Sequence, residues 1–125
     1  MAKYNESAEK YLETILMLSK KLPVVRSVDI ATELGFKKSS VSVAMKNLKE
    51  KEHITVTDAG FIYLTDSGRR IAEMIYERHE ILTSCLKTLG VDAAVAEEDA
   101  CKIEHVISEE SFQAIKDHIS KMKDR

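Results

Sequence analysis

The stretch SVDIATELGFKKSSVSVAMKNL, residues 27–48, decides the fold of this chain. Ser27 is a suitable N-cap for a helix of two turns, and Gly35 suits the left-handed residue that ends it. Ser39 or Ser40 can cap the next helix. The apolar residues of that helix recur at the i, i+3, i+4 and i+7 spacing of an amphipathic helix: Val41, Ala44, Met45 and Leu48. Two helices around a glycine turn predict a helix-turn-helix.

A β-hairpin is predicted directly after these two helices. Residues 54–57 (ITVT) and 61–64 (FIYL) are rich in strand-forming residues, and the turn between them contains Gly60. Upstream, apolar residues keep a helical period from about Ser7 to Lys20. A hairpin in this position is a wing, so residues 1–70 are predicted to form a winged helix-turn-helix domain.

The remainder of the chain, residues 71–125, is predicted to be helical. Thr65 can cap a long helix that Gly90 closes, and two further helices are predicted from Asp92 to about Ile107 and from Ser108 to about Met122. The fold class is therefore mainly α, with a winged helix-turn-helix followed by a helical domain.

Composition argues against a membrane protein. The chain has 125 residues, of which 44% are hydrophobic and 32% charged, and its apolar runs are too short to cross a bilayer. The first residues lack a secretory signal, so we expect a cytoplasmic protein whose Cys85 and Cys101 are thiols. Charge is uneven: residues 1–70 hold 12 Lys and Arg against 9 Asp and Glu, whereas residues 71–125 hold 7 against 12.

The start of the third helix has the side chains expected of a DNA-reading helix. Short polar and methyl-bearing side chains read base edges in the major groove, and lysines contact phosphates. We predict base contacts from Ser40, Ser42 and Val43. Phosphate contacts are predicted from Lys37, Lys38 and Lys46 and from the backbone N–H of Ser27. Ser39 belongs to the same predicted DNA-binding surface. An ordinary solvated helix face would also carry serines and lysines, but helix-turn-helix and wing signals occurring in order favour DNA.

A possible metal site lies in the motif CKIEH, residues 101–105. Cys101, Glu104 and His105 stand at i, i+3 and i+4, which places a thiol, a carboxylate and an imidazole on one helix face. His79 on the preceding helix is a fourth candidate if the two helices are antiparallel, and Glu13 is a fifth. Taken singly, each residue is better explained as an ordinary buried or surface side chain, and only their grouping favours metal.

The sequence resembles the diphtheria toxin repressor and manganese transport regulator family of metal-dependent transcriptional repressors. The likeness covers nearly the whole chain and is carried by residues 9–15, 28–31, 39–42, 64–65, 68, 78–80 and 101–108. It implies a homodimer whose winged helices bind a palindromic double-stranded DNA operator once Fe(II) or Mn(II) is bound. The length resembles the short form of the family, without an extra C-terminal domain.

The resemblance also implies ligands. Cys101, Glu104 and His105 match the ligand triplet, His79 matches the ligand on the long helix, and Glu13 matches a carboxylate of the manganese type. Lys10 departs from the pattern, because a charged ammonium cannot bind a metal where the family has Met or Asp. Either Glu9 or water replaces that ligand, or Lys10 compensates a carboxylate and one of the expected sites is missing. Glu97 and Thr83 replace ligands of an ancillary site, so we expect one metal per subunit.

Cys101 bears on the identity of the metal. The manganese type has a carboxylate at this position, and a thiolate favours softer ions. We expect Fe(II) first and Mn(II) next, with Co(II), Ni(II) or Zn(II) as surrogates. The homodimer is expected to form through apolar residues of the C-terminal helices: Val95, Ile103, Val106, Ile107, Phe112, Ile115 and Ile119.

Two alternatives remain open at this point. A winged-helix regulator that senses no metal would have Lys10 neutralise Glu104 or Glu13. A metallohydrolase would use Glu104 as base. No substrate-cradling loop is visible, however, and the predicted DNA-binding domain would have no role, so we expect no enzyme.

Overall fold

The structure is a computed structural model that describes residues 6–123. These residues form six helices and one antiparallel sheet of two strands. The elements are α1 (Glu6–Ser19), α2 (Ser27–Leu34), α3 (Lys38–Glu50), β1 (Ile54–Val56), β2 (Ile62–Leu64), α4 (Asp66–Thr88), α5 (Ala93–Ile103) and α6 (Glu109–Lys123). The predicted mainly α class and order of elements are confirmed.

The described residues divide into two compact units within α4, between Glu73 and Met74. The first unit holds α1–α3, the hairpin and the start of α4, and the second holds the rest of α4 with α5 and α6. The division lies three residues after the boundary expected from the sequence.

In the first unit, α1, α2 and α3 pack against one another around a shared apolar core. Leu12, Ile30 and Val41 contribute one fully buried side chain from each helix. Gly35 ends α2 with φ 69° and ψ 28°, the left-handed conformation that a side chain disfavours. Arg26 rather than Ser27 is the N-cap of α2, because the Asp29 carboxylate accepts from the Arg26 backbone N–H at 2.9 Å.

The wing pairs β1 with β2, with Ile54 opposite Leu64 and Val56 opposite Ile62. Ile54 and Ile62 are buried, and the strands are three residues long, shorter than predicted. The backbone N–H of Ile62 also donates to the carbonyl of Val25 at 2.8 Å, which ties the segment before α2 to the wing.

The start of α4 is locked to the end of α3. The Thr65 hydroxyl donates to the Glu52 carbonyl at 2.7 Å and accepts from the Gly68 N–H at 3.2 Å, so Thr65 caps α4 as expected. A Cβ on Gly68 would collide with the His53 carbonyl oxygen. Glycine is therefore required at Gly68 for close approach, although its backbone is helical.

In the second unit, α4 and α5 form an antiparallel hairpin. His79 on α4 contacts Glu104 just beyond the end of α5, and the short segment 89–92 connects the two helices. The helices α4 and α5 must therefore run in opposite directions. Asp92 caps α5 by accepting from the Ala94 N–H at 3.1 Å. On α6, Lys116 pairs with Glu77 of α4 at 2.7 Å, and this hydrogen bond raises the pKa of Lys116.

The fifth helix is shorter than the sequence predicts. It ends at Ile103 and not near Ile107, because residues 104–107 follow a tightened turn in which Val106 N–H bonds the Ile103 carbonyl. Among residues 6–123, no helix combines the length and apolar character needed to cross a membrane.

Candidate metal centre and nucleic-acid interface

The third helix presents two distinct faces. Val41, Met45 and Leu48 are buried against the first unit's core. The residues predicted to contact DNA are exposed on the other side: Lys37, Lys38, Ser39, Ser40, Ser42, Val43 and Lys46. Val43 is the informative member, because 60% of it is exposed although it is apolar, beside serines and lysines. This face can offer hydroxyls and a methyl surface to base edges and ammonium groups to phosphates.

Ser27 lies at the first position of α2 and is half-buried. Its backbone N–H belongs to the first turn of a helix, where amide groups without intrahelical partners attract anions. This position suits the predicted phosphate contact through the backbone, although Ser27 does not cap the helix.

Three predicted metal ligands meet in the second unit. His79 of α4, Cys101 of α5 and Glu104 each offer a ligand atom, and these atoms lie within 4.8 Å of one another. The antiparallel hairpin brings His79 to the end of α5, while the continuing helical turn keeps Cys101 and Glu104 on the same side. The group therefore combines nitrogen, sulfur and oxygen donors, a set suited to first-row divalent metals.

Glu104 is the centre of this group. Its carboxylate oxygen Oε1 lies 2.8 Å from His79 Nδ1, and its Oε2 lies 3.3 Å from His105 Nε2. The Glu104 side chain is fully buried, the His105 side chain is 2% exposed and the His79 side chain is 15% exposed. Glu104 therefore contacts both predicted histidine ligands, while the group whose ligand atoms lie within 4.8 Å of one another in this unit is His79, Cys101 and Glu104.

The donors fit a divalent cation. Burying a carboxylate costs several kcal/mol in order of magnitude unless hydrogen bonds or a positive charge compensate it. In residues 6–123, Glu104 Oε2 accepts no hydrogen bond, so one oxygen of a buried carboxylate retains unused acceptor capacity. A metal bound here would supply the compensating charge.

The fifth predicted ligand, Glu13, lies on α1 in the first unit and is buried. Lys10 lies one turn earlier on the same helix, where its carbonyl accepts from the Thr14 hydroxyl at 2.8 Å. The role of Glu13 as a ligand, and the consequence of Lys10 for the number of sites, remain predictions.

Sequence reasoning missed two residues beside the cluster. Arg78 is buried and donates to the carbonyl of Glu104, and Glu97 places a carboxylate oxygen 3.9 Å from His79 Nε2. A signal for Arg78 existed: it falls in register with Ile71, Ile75 and Leu82 on the inward stripe of α4, where a charged residue requires a partner. The sequence marked Glu97 only as a residue that replaces a ligand of the family's ancillary site.

Two family profiles cover the chain. One, described as the N-terminal DNA-binding domain of iron-dependent repressors, matches residues 3–59. The other, described as the metal-binding and dimerisation domain of iron-dependent repressors, matches residues 65–125. Their junction falls at the start of α4, and together they account for both units.

Curated proteins with similar sequences are transcriptional regulators. The chain is 32% identical to the transcriptional regulator MntR of Escherichia coli O6:H1 over 111 residues, which is 89% of this chain and 72% of that protein. It is 31% identical over 123 residues to an uncharacterised HTH-type transcriptional regulator of Methanocaldococcus jannaschii, covering 97% of this chain and 98% of the relative.

Solved structures show the same fold. A manganese-dependent transcriptional repressor in complex with manganese superposes with a TM-score of 0.84 at 27% identity, and IdeR of T. acidophilum superposes with 0.77 at 26%. Each match covers 90% of this chain but only 52% and 53% of the solved chains, so this chain spans about half their length.

Proposed function

Because the chain belongs to the iron-dependent repressor family of metal-dependent transcriptional regulators, we propose that it represses transcription by binding a palindromic operator as a homodimer. In this proposal, Fe(II) or Mn(II) occupies a sensing site made by His79, Cys101, Glu104 and His105, with Glu13 as a further ligand. The genes controlled would be those of metal homeostasis.

The observation that carries the proposal is the buried Glu104 carboxylate between two histidines. His79 Nδ1 lies 2.8 Å from one of its oxygens and His105 Nε2 lies 3.3 Å from the other, while Cys101 joins His79 and Glu104 in a donor group from two helices. A divalent cation held by these residues would supply the positive charge that the buried carboxylate lacks. The chain itself shields the Glu104 carboxylate from water and holds the two imidazoles near it. These contacts favour a single arrangement of the α4–α5 hairpin.

The exposed face of α3 supports DNA as the partner. We propose that Ser40, Ser42 and Val43 face base edges, while the flanking lysines and Ser39 face phosphates together with the backbone at Ser27. Two copies of this helix, one from each subunit, would read two half-sites of a palindrome. Metal affects DNA affinity only if it binds more tightly to the arrangement that fits both half-sites.

Pairing of two copies through the second unit is supported by its exposed apolar side chains. Leu89, Val95 and Val106 are 75%, 49% and 67% exposed, and the profile that matches this region describes a dimerisation domain. Phe112, expected to lie at the interface, is instead buried beneath Arg78 within the unit. The remaining apolar residues are therefore the proposed dimer contacts.

The identity of the metal rests on the chemistry of Cys101. The family profile is named for iron, whereas several relatives are named for manganese. A thiolate binds Fe(II) more strongly than Mn(II), so we propose Fe(II) as the first effector, Mn(II) as the second, and Co(II), Ni(II) or Zn(II) as surrogates.

A second candidate function is metal-independent DNA binding. The 2.8 Å contact between His79 Nδ1 and Glu104 Oε1 favours it, because an imidazole already partners one oxygen of the buried carboxylate without a metal. In that case the cluster would be a buried polar network that fixes the hairpin. An enzymatic role is not part of either candidate, since the family consists of transcriptional regulators.

The test is anaerobic titration of chelator-treated protein with Fe(II), Mn(II), Co(II) and Zn(II) while its binding to a panel of palindromic duplexes is measured. A variant carrying Cys101→Ala and His105→Ala is titrated beside it. We expect metal to tighten binding about 5- to 150-fold in the native protein and to have no effect on the variant. Equal affinity with and without metal would contradict the proposal and support the second candidate.

A further inference from the structure

We propose that Arg78 is the positioning residue of the metal site, setting the place of Glu104 through its main chain. This inference rests on the proposed metal-sensing function. Arg78 does not ligate a metal, because a guanidinium has no free lone pair at any accessible pH. It acts instead on the turn that carries the ligands Glu104 and His105.

The contacts of Arg78 are concentrated on that turn. Its Nη1 donates to the carbonyl of Glu104 at 3.2 Å and to the carbonyl of Ile107 at 3.0 Å. Its Nη2 donates to Glu109 Oε1 at 3.0 Å, and the guanidinium carbon lies 5.4 Å from the centre of the Phe112 ring. Arg78 is 8% exposed, so its guanidinium is largely shielded from water where it bonds the two carbonyls, which strengthens these charge-assisted hydrogen bonds.

The turn needs such a donor because α5 ends at Ile103. The last carbonyls of a helix lack intrahelical partners, and a cation near them is favoured by the helix dipole. Arg78 satisfies two carbonyls three residues apart, Glu104 and Ile107, and so fixes the path of the chain between them. Cys101 lies before this turn and His105 within it, so the spacing of the predicted ligands depends on that path.

Arg78 and His79 are neighbours in the sequence and hold different parts of the same residue. Arg78 bonds the main-chain carbonyl of Glu104, while His79 contacts its carboxylate at 2.8 Å. One turn of α4 therefore fixes both the backbone and the side chain of Glu104. Any rotation of Glu104 about its backbone would move its carboxylate away from His79.

A lysine cannot replace this function. Arginine presents several N–H donors in a rigid plane, whereas lysine offers one compact ammonium on a flexible chain. An ammonium at this place could keep the favourable charge beside Glu109, whose side chain is 73% exposed, but could not bond two carbonyls with the same geometry. Arg78→Lys thus separates a role in placing Glu104 from a general need for positive charge.

The experiment measures Co(II) binding, because the visible absorption of Co(II) reports the number and geometry of its ligands independently of DNA binding. The variants are Arg78→Lys and Arg78→Met, with Arg69→Met as matched control. Arg69 lies on the same helix, but its pair with Glu73 is at 4.0 Å and largely exposed. Helicity and thermal unfolding of each metal-free variant are recorded first, so that only folded variants are compared.

We expect Arg78→Lys to fold, to bind Co(II) about 10- to 100-fold more weakly, and to show altered visible bands, because the ligand carried by the turn is displaced. Arg69→Met should match the native protein in affinity and spectrum. If Arg78→Met does not fold, Glu109→Gln replaces it. The Co(II) affinity of Glu109→Gln should fall by less than about fivefold, because Glu109 is an exposed partner of Arg78.

A folded Arg78→Lys variant with native Co(II) affinity and native spectrum would overturn the positioning role while leaving the metal site intact. A native protein that binds no Co(II) would overturn both the positioning role and the proposed function. The two failures are therefore distinguishable in the same titration.

Discussion

At the scale of single residues, Glu104 is the most consequential side chain. It is fully buried, yet one of its oxygens accepts no hydrogen bond among residues 6–123. Such a group is costly for folding unless a cation compensates it. The arrangement is what a binding site requires, because the energy lost when the site folds without metal is recovered on binding.

Glu104→Gln separates these two effects. The amide keeps the shape of the side chain and an acceptor for His79 but removes the buried charge. We expect the free energy of unfolding in EDTA to be unchanged or to rise by up to about 2 kcal/mol, while metal affinity falls at least about 100-fold. Urea unfolding and Co(II) titration measure the two quantities. Glu98→Gln, at a largely exposed position of α5, is the control. A loss of several kcal/mol in the Glu104→Gln protein without metal would contradict this account.

Two glycines in the first unit test different physical requirements. At Gly35, a Cβ would meet open space but a left-handed backbone, so Gly35→Ala should cost about 1 kcal/mol. At Gly68, a Cβ would meet the His53 carbonyl, and the backbone cannot yield easily, so Gly68→Ala should cost about 2–3 kcal/mol despite alanine's higher helix propensity. Urea denaturation measures both, and equal losses would show that the collision is relieved.

At the scale of elements, sequence periodicity predicted the helices well but misplaced their ends. The apolar repeat of α3 identified its buried face, since Val41, Met45 and Leu48 are all buried. The start of α3 was placed two or three residues late, because Lys37 rather than Ser39 or Ser40 is its N-cap, and Lys37 makes no side-chain cap hydrogen bond. Helix ends depend on which distant group satisfies the free carbonyls, and periodicity contains no information about that. Arg78, more than twenty residues earlier, could not be assigned to the end of α5 from the pattern of α5 alone.

The exposed face of α3, proposed to contact DNA, offers a prediction that separates affinity from specificity. Lys46→Ala should weaken binding to all duplexes similarly and reduce the slope of log affinity against log salt by about 1, because one phosphate contact is lost. Val43→Ala should leave the slope unchanged and alter preference among duplexes by about 1–3 kcal/mol. Both are measured by salt titration on a set of duplexes. Lys102→Ala, on exposed α5 surface and paired with Glu98, is the control, and an equal drop in slope there would refute a specific contact.

At the scale of the whole molecule, the fold followed from signals that are local in sequence. The glycine turn, the hairpin and the cap at Thr65 each act within a few residues, and each is found where expected. The contact between the predicted ligands His79 and Glu104 connects residues 25 apart. The sequence indicated this contact only through the type and spacing of the candidate ligands. Pairing between subunits and DNA contacts lie beyond a single chain and stay predictions.

Metal removal should lower the stability of the folded protein, because a ligand that binds only the folded state stabilises it. A ligand present at 100 times its dissociation constant stabilises the state it binds by about 2.7 kcal/mol, which for a chain of this length raises Tm by roughly 10 °C. We expect this difference between Co(II)-loaded and EDTA-treated protein in thermal unfolding followed by circular dichroism. The Cys101→Ala, His105→Ala protein should show no difference. A shift of the same size in that variant would place the metal elsewhere.

The hairpin of α4 and α5 also bears on the order in which the chain folds. The hydrogen bonds from Arg78 and His79 to the end of α5 and the start of α6 all close loops of 31 residues or fewer. Helical contacts of short range form faster than pairings of distant strands. The bond from Ile62 to Val25, by contrast, requires the wing and the segment before α2 to meet first. We therefore expect the contacts of the α4–α5 hairpin to form no later than the docking of the wing on the segment before α2, which φ-values of Arg78 and Ile62 variants would measure.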